Sequence, residues 1–232
     1  MPAELLDPSR RATLLLAGAA AALLTGCAKG DEGDEGVSAT EDLMREHGVL
    51  RRILVVYRGT ASLLRAPAGS LDVGALADAV ALFQTFGEDY HERKLEEEYI
   101  FPTVKKKGGE AAALVATLLD QHKRGRELNA YIKAKCAAGA VGTGDVEPLA
   151  AALETFARMY EAHTAYEDTI VFQAWRASMS AAQLHDAGET FEDIERAQFK
   201  GDGFDLAVDQ IEKIEERLGL HDLAHYTAPD PA

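Results

Sequence analysis

Apolar positions recur at three- and four-residue steps in four long runs and two shorter ones, the spacing of amphipathic helices. The first run starts near Ser38 or Thr40, either able to cap it, and reaches about Leu64. Leu43, Leu50, Ile53, Leu54 and Tyr57 form its stripe, with Arg45, Arg51, Arg52 and Arg58 off it. Residues 67–70 (PAGS) predict a turn. The second run extends from Leu71 or Asp72 to Val104, with Val80, Phe83, Gly87 and Tyr90 on its buried side. Lys105, Lys106 and Lys107 suit the negative end of its dipole, and Gly108 and Gly109 stop it. The third covers Glu110 to Ala137, with Leu114, Leu118, Leu119, Leu128 and Ile132 apolar. After a glycine-rich loop the fourth, capped by Thr143 or Asp145, continues to about Ser178 through Leu149, Leu153, Phe156, Met159 and Tyr160. Four long helices with short connections predict an all-α, up-down-up-down four-helix bundle. Residues 181–218 predict two shorter helices broken at Lys200–Gly203. The stripe of Phe204, Val208, Ile211, Ile214 and Leu218 packs the last one on the bundle, and the tail from Tyr226 is expected to fray.

Composition narrows the function. A chain of 232 residues with 47% hydrophobic residues holds enough to build one core. The net charge of −15 repels phosphate backbones, with no basic patch to offset it, so nucleic acid is excluded as a partner. Two cysteines, Cys27 and Cys136, cannot make a disulfide framework or a thiolate metal site. Cys136 reads as a small helix residue.

The N-terminus reads as an export signal rather than part of the fold. Arg10 and Arg11 form a twin arginine before an apolar run from Ala12 to Leu24, too short to span a hydrocarbon core of ~30 Å. The run closes on Leu24, Thr25, Gly26 and Cys27, which resembles a bacterial lipobox. That resemblance implies cleavage before Cys27 and a lipid on its sulfur. Residues 1–26 are thus expected to be a signal peptide and 27–40 a flexible acidic linker. Residues 41–180 are expected to be the bundle and 181–232 its helical extension. The expected location is exported, periplasmic or on the outer face of the cell membrane, with contact to the membrane by the lipid anchor alone.

The chemistry sits in histidines and carboxylates. His47, His122 and His163 each fall on the apolar face of a different helix, and His91 lies near the edge of the buried side of the second. Buried imidazoles need partners. Glu167 follows His163 by four residues and shares its face. His91 opens a stretch that holds Glu92, Glu96, Glu97 and Glu98 and ends in Phe101 and Pro102. Imidazoles and carboxylates gathered from four helices make a metal site inside a bundle, and the absence of thiolate suits iron. His185, His221 and His225 lie outside this pattern and are expected at the surface. Tyr57, Tyr90, Tyr99 and Tyr166 could offer a hydroxyl nearby, though core packing is their commoner use. Asp168 reads as orienting a ligand or facing solvent.

Together, Glu46-His47-Gly48, the His91 stretch, and the run His163, Glu167, Asp168, Phe172 resemble the hemerythrin-like (HHE cation-binding) family over roughly residues 38–180. The resemblance implies a bundle holding two non-haem irons bridged by carboxylates and an oxo or hydroxo group. Its implied metal residues are His47, His91, Glu92, Glu96, His122, His163 and Glu167. Implied partners are dioxygen, nitric oxide or peroxide. Two departures matter. Where the family carries a second histidine four after His122, this chain has Arg126, so the ligand set is poorer in nitrogen. In this it resembles the hemerythrin-like domain of a eukaryotic iron-sensing F-box protein. Second, Glu96 lies five residues after His91, ~140° away on a regular helix at ~100° per residue. Either a π-bulge turns Glu96 inward, with Glu92 then able to join, or Glu98 takes its place. Three functions stay open: a di-iron protein that binds or senses a small molecule or iron; an oxidoreductase acting on peroxide, ferrous iron or nitric oxide; and a bundle held by a structural metal.

Overall fold

The computed structural model describes residues 37–67 and 71–231. The expected leader, Cys27, most of the acidic linker and residues 68–70 of the expected turn lie outside the described residues. Six long helical elements are present among them, with no strand. Helix α1 is Ala39–Arg65. Helix α2 is one continuous run of Val73–Leu82, Phe83–Ile100 and Phe101–Lys107. Helix α3 is Gly109–Cys136. Helix α4 joins Val146–Tyr166, Glu167–Val171 and Phe172–Ala177. Helices α5 and α6 are Ala181–Phe199 and Gly203–Leu218.

The helix ends follow local chemistry. Ser38 accepts from the Glu41 amide at 3.3 Å and Asp72 from that of Ala75 at 3.0 Å, satisfying free amides of the first turn. Ser180 and Gln183 cap α5 reciprocally at 3.3 and 3.0 Å. Between α2 and α3 the break falls on Gly108 and Gly109, at φ 77° and 82°, in the region glycine enters without cost. The start of α4 differs from expectation. Neither Thr143 nor Asp145 caps it through a side chain. They lie in a short 3₁₀ turn, and the Asp145 carboxylate goes instead to the Lys135 ammonium at 2.7 Å.

Helices α1 to α4 form the bundle, α1 lying along α4, α4 along α3 and α3 along α2. One side of the interior is aromatic. Phe156 meets Tyr57 edge-on at 5.2 Å and Phe83 at 4.8 Å, and stacks on Tyr160 at 4.6 Å. Such rings each contribute about 2–3 kcal/mol through burial, plus about 1 kcal/mol through edge-to-face geometry. Leu114, Leu119, Leu128 and Met159 are only partly buried, packing at the rim of the stripes. Helices α5 and α6 close over α1 and α2. Ile211, Ile214 and Leu218 are buried, Trp175 stacks on Phe191 at 5.7 Å, and Arg52 clamps Glu215 at 2.9 and 2.5 Å. Phe204 and Val208 sit at that interface's edge. The tail holds more order at Tyr226 than expected, through a 3₁₀ turn at Leu223–Tyr226 and a bond from the Tyr226 hydroxyl to the Leu220 carbonyl at 3.1 Å. No helix among the described residues is long and apolar enough to cross a membrane.

Candidate metal centre

Helix geometry decides which carboxylate faces inward. Through Phe83–Ile100 the helix is wound in wide π turns, and the Phe101 amide bonds to the Glu96 carbonyl five residues back. A turn closed over five residues brings position i+5 back over position i. Glu96 therefore stands over His91, with Oε1 3.4 Å from Nε2. Glu98 points to solvent and pairs with Lys94 at 2.9 Å. A second wide turn, at Glu167–Val171, was not expected from the spacing; there the Phe172 amide bonds to the Glu167 carbonyl.

Four imidazoles and two carboxylates meet in the interior, one histidine from each of α1 to α4, all of them buried. His47 and His91 face each other Nε2 to Nε2 at 2.9 Å, and His122 and His163 do the same at 3.1 Å. Glu96 lies between the pairs, its second oxygen 3.2 Å from His122 Nε2. Glu167 Oε2 is 3.0 Å from His163 Nε2 and 3.6 Å from His47 Nε2. Three groups of donors converge within metal-binding range: His47, His91 and Glu96; His122, His163, Glu96 and Glu167; and, on the outward side of His122, Glu92 and Glu97 with its Nδ1.

The outward nitrogens are each held by a residue on a different helix. Asp168 meets His47 Nδ1 at 2.7 Å, Glu46 meets His91 Nδ1 at 2.5 Å, Glu97 meets His122 Nδ1 at 2.9 Å, and Gln121 meets His163 Nδ1 at 2.9 Å. An acceptor at Nδ1 keeps the proton there and leaves the Nε2 lone pair pointing inward.

That arrangement tests whether a cation fits. With protons outward, facing lone pairs would repel at these distances. All four oxygens of Glu96 and Glu167 are buried without a hydrogen bond, although such orphans cost about 1–3 kcal/mol each. Donors that are all acceptors, nitrogen and carboxylate without sulfur, fit one or two hard-to-borderline metal ions.

The chain matches the description "Hemerythrin HHE cation binding domain" over residues 38–175. The chain belongs to the hemerythrin HHE cation-binding family. Uncharacterized proteins of Mycobacterium bovis and Mycobacterium tuberculosis are each 42% identical to it over 192 residues, covering 82% of this chain and 74% of theirs. No solved structure matches it. Membership of the hemerythrin family, together with the buried His and Glu groups, supports cation binding, typically of iron.

Around this hemerythrin-type centre, Glu92 takes a different place from the other six candidates. Its oxygens are occupied by the Tyr160 hydroxyl at 2.6 Å and the Arg126 guanidinium at 2.9 Å, and its nearest histidine atom is the outward Nδ1 of His122, at 3.9 Å. Arg126 also donates to Glu97 at 2.5 Å. The guanidinium thus supplies the positive charge for two carboxylates beside His122. Gly125 makes room for this group: a Cβ there would stand 2.0 Å from the Tyr160 hydroxyl oxygen. Tyr90 donates to Glu46 at 2.9 Å, while Tyr57 bonds to Asn129 at 3.2 Å, and Tyr99 and Tyr166 are exposed. Asp168 is the acceptor for His47 and also pairs with Arg51. His185, His221 and His225 lie away from the centre, and Cys136 is buried and in no disulfide among the described residues.

The proton affinities divide the set. Burial works against charge on His91 and His122, but the carboxylates Glu96, Glu46, Glu92 and Glu97 outweigh it and hold both imidazoles well above the usual range. Glu96 is held well below the carboxylate range by His91 and His122 against the opposing effect of burial. Burial and the neighbouring His122 push His163 down to about 3. Burial and the Glu96 charge drive Glu167 well above the carboxylate range. The Glu96 anion is thus balanced by positive charge on His91 and His122, a charge that a bound cation would replace.

Glu46, Glu97, Gln121, Tyr160 and Arg126 carry roles that the one-dimensional pattern did not assign. Glu46, Glu97 and Gln121 each sit next in sequence to an inward-facing residue, and that adjacency is the signal that was available.

Proposed function

We infer that this chain is a non-haem di-iron protein whose function is to bind or sense a small molecule: dioxygen, nitric oxide, peroxide or iron itself. The observation that carries the reading is the four hydrogen-bond-free oxygens of Glu96 and Glu167 set between two facing pairs of histidine nitrogens. In the proposal His47 and His91 hold one iron, and His122 and His163 the other. Glu96, which reaches both pairs, and Glu167 would supply the carboxylate donors. Iron held there would supply reversible redox chemistry and a position for the small ligand. The protein's own part is to fix the imidazoles through Asp168, Glu46, Glu97 and Gln121, and to keep water out with Phe101 and Phe172, stacked on His122 at 5.6 Å and on His47 at 5.2 Å.

The ring of outward partners supports the up-down-up-down arrangement. The acceptor precedes the inward histidine on α1 and α3 (Glu46, Gln121). It follows the inward carboxylate on α2 and α4 (Glu97, Asp168). Such a reversal of sense fits helices that alternate in direction. Export with lipid attachment at Cys27 remains part of the proposal, supported by the twin arginine and the Leu24–Cys27 motif.

A second reading, an oxidoreductase acting on peroxide, ferrous iron or nitric oxide, is favoured by Arg126. With it in place of a histidine the set has one imidazole fewer, which would leave a position for a substrate on that half. Metal analysis with an optical spectrum of the reduced protein before and after air tests the main reading. Two irons per chain and new near-ultraviolet to visible charge-transfer bands are expected. One zinc, or no metal and no spectral change, would overturn it. Turnover of those substrates that is lost in His163→Ala would favour the enzyme.

A further inference from the structure

Between α3 and α4 lies a cleft of about 280 Å³. Leu114, Leu118 and Ala162 line it, Thr117 and Tyr166 stand at its rim, and Gln121 and His163 reach it from the centre. No charged side chain lines it. This sets it apart from the cleft whose walls carry Asp42, Arg45, Glu192, Glu195, Arg196 and Asp202. Its apolar walls favour a small uncharged molecule and disfavour an ion, which would lose its water there. The volume is ample for a diatomic gas, given that a water occupies about 30 Å³.

The polar contact is specific. Gln121 Oε1 receives the His163 Nδ1 proton. Its NH2 group makes no hydrogen bond among the described residues and remains as a donor. The cleft lies between the same two helices that present His122 and His163. On this half of the centre the chain carries Arg126 instead of another imidazole, and that guanidinium is turned to Glu92 and Glu97.

We propose that the α3–α4 cleft over Gln121 and His163 is the collecting site and access route for a small uncharged diatomic ligand, which reaches the centre on its His122–His163 half. The route rests on the di-iron reading, but its test can be separated from it. Ala162 and Thr117 are exposed positions on the two walls, so Ala162→Trp and Thr117→Trp fill the cleft without touching the core. Crystals of the full chain pressurised with xenon, in the metal state in which it is purified, should show the gas in the cleft of the wild type and none in Ala162→Trp. Stopped-flow mixing of nitric oxide with the reduced, iron-loaded protein should give an association rate at least tenfold lower in both variants. Iron content and melting temperature should stay at wild-type values. Xenon absent from the wild-type cleft, or an unchanged association rate in variants that retain their iron, overturns the route and leaves the di-iron reading standing. Wild-type protein that takes up no iron overturns the di-iron reading, while the xenon result still reports on the cleft.

Discussion

Removing the metal should destabilise the fold by an amount the carboxylates set. Glu96 and Glu167 contribute four buried oxygens without hydrogen bonds. At about 1–3 kcal/mol each the sum is roughly 4–12 kcal/mol, against a typical total stability of about 5–15 kcal/mol. Protonation of Glu167, whose affinity for a proton is raised by burial and by Glu96, and protons on the His91 and His122 nitrogens that face Glu96 relieve part of this, so the lower figure applies. A loss of about 4 kcal/mol lowers the melting temperature by roughly 8–16 °C in a domain of this size. Calorimetry of the iron-loaded and chelator-treated protein at pH 7 measures it directly. The control is Glu96→Gln with Glu167→Gln. Each amide can donate its N–H to a facing Nε2, so the double variant should gain nothing from added iron. A metal-free wild type that melts within about 2 °C of the loaded form, or a double variant stabilised by iron as strongly as wild type, would refute the argument that these oxygens exist to hold a cation.

Glu96→Gln should lose iron in metal analysis while Glu98→Gln keeps it, because only Glu96 is turned inward by the wide helix; equal retention would argue against that register. Gly125→Ala would ordinarily favour the helix by about 1 kcal/mol. Here the new methyl meets the Tyr160 hydroxyl, so urea unfolding should show a net loss of about 2 kcal/mol from overpacking, and a gain would contradict the close approach. Glu195 has its carboxyl pushed up to about 7 by burial. Ionising it costs more in the folded than in the unfolded chain, so wild-type stability should fall as pH rises from about 4.5 to 7 and level off above. In Glu195→Gln that decline should be smaller, seen as a melting-temperature advantage at pH 8 that vanishes near pH 4; the same advantage at both pH values would point to packing instead.

The helices were legible because their stripes are strong: Leu43, Leu50 and Leu54 on α1, or Leu149, Leu153 and Phe156 on α4, are buried where the period puts them. Asp145 stands at the N-cap of α4 as the pattern puts it, but its carboxylate makes no cap bond, because a competing cation, Lys135, lies on another helix and no local pattern reveals it. The cation-binding family was legible in histidines spread over four runs. The wide turn at Glu167–Val171 was hidden, since His163 and Glu167 already meet at an ordinary four-residue step. Glu97 and Glu46 gave no sign in the sequence of the histidines they hold. Their partners His122 and His91 are 25 and 45 residues away, and only the packing of the bundle brings them together.

The ring of outward acceptors works as a checksum on the whole domain. Consecutive residues on a helix point ~100° apart, close to the angle between neighbouring helices around a bundle. One residue can therefore face the centre while the next reports to the adjacent helix. Asp168 of α4 serves α1, Glu46 of α1 serves α2, Glu97 of α2 serves α3, and Gln121 of α3 serves α4. The circuit has no free end. A helix that slips by a single residue spoils its own donor and also unhooks its neighbour's, so one threading error is counted twice. Metal uptake would then act as proofreading: a chain able to load has had all four registers verified at once.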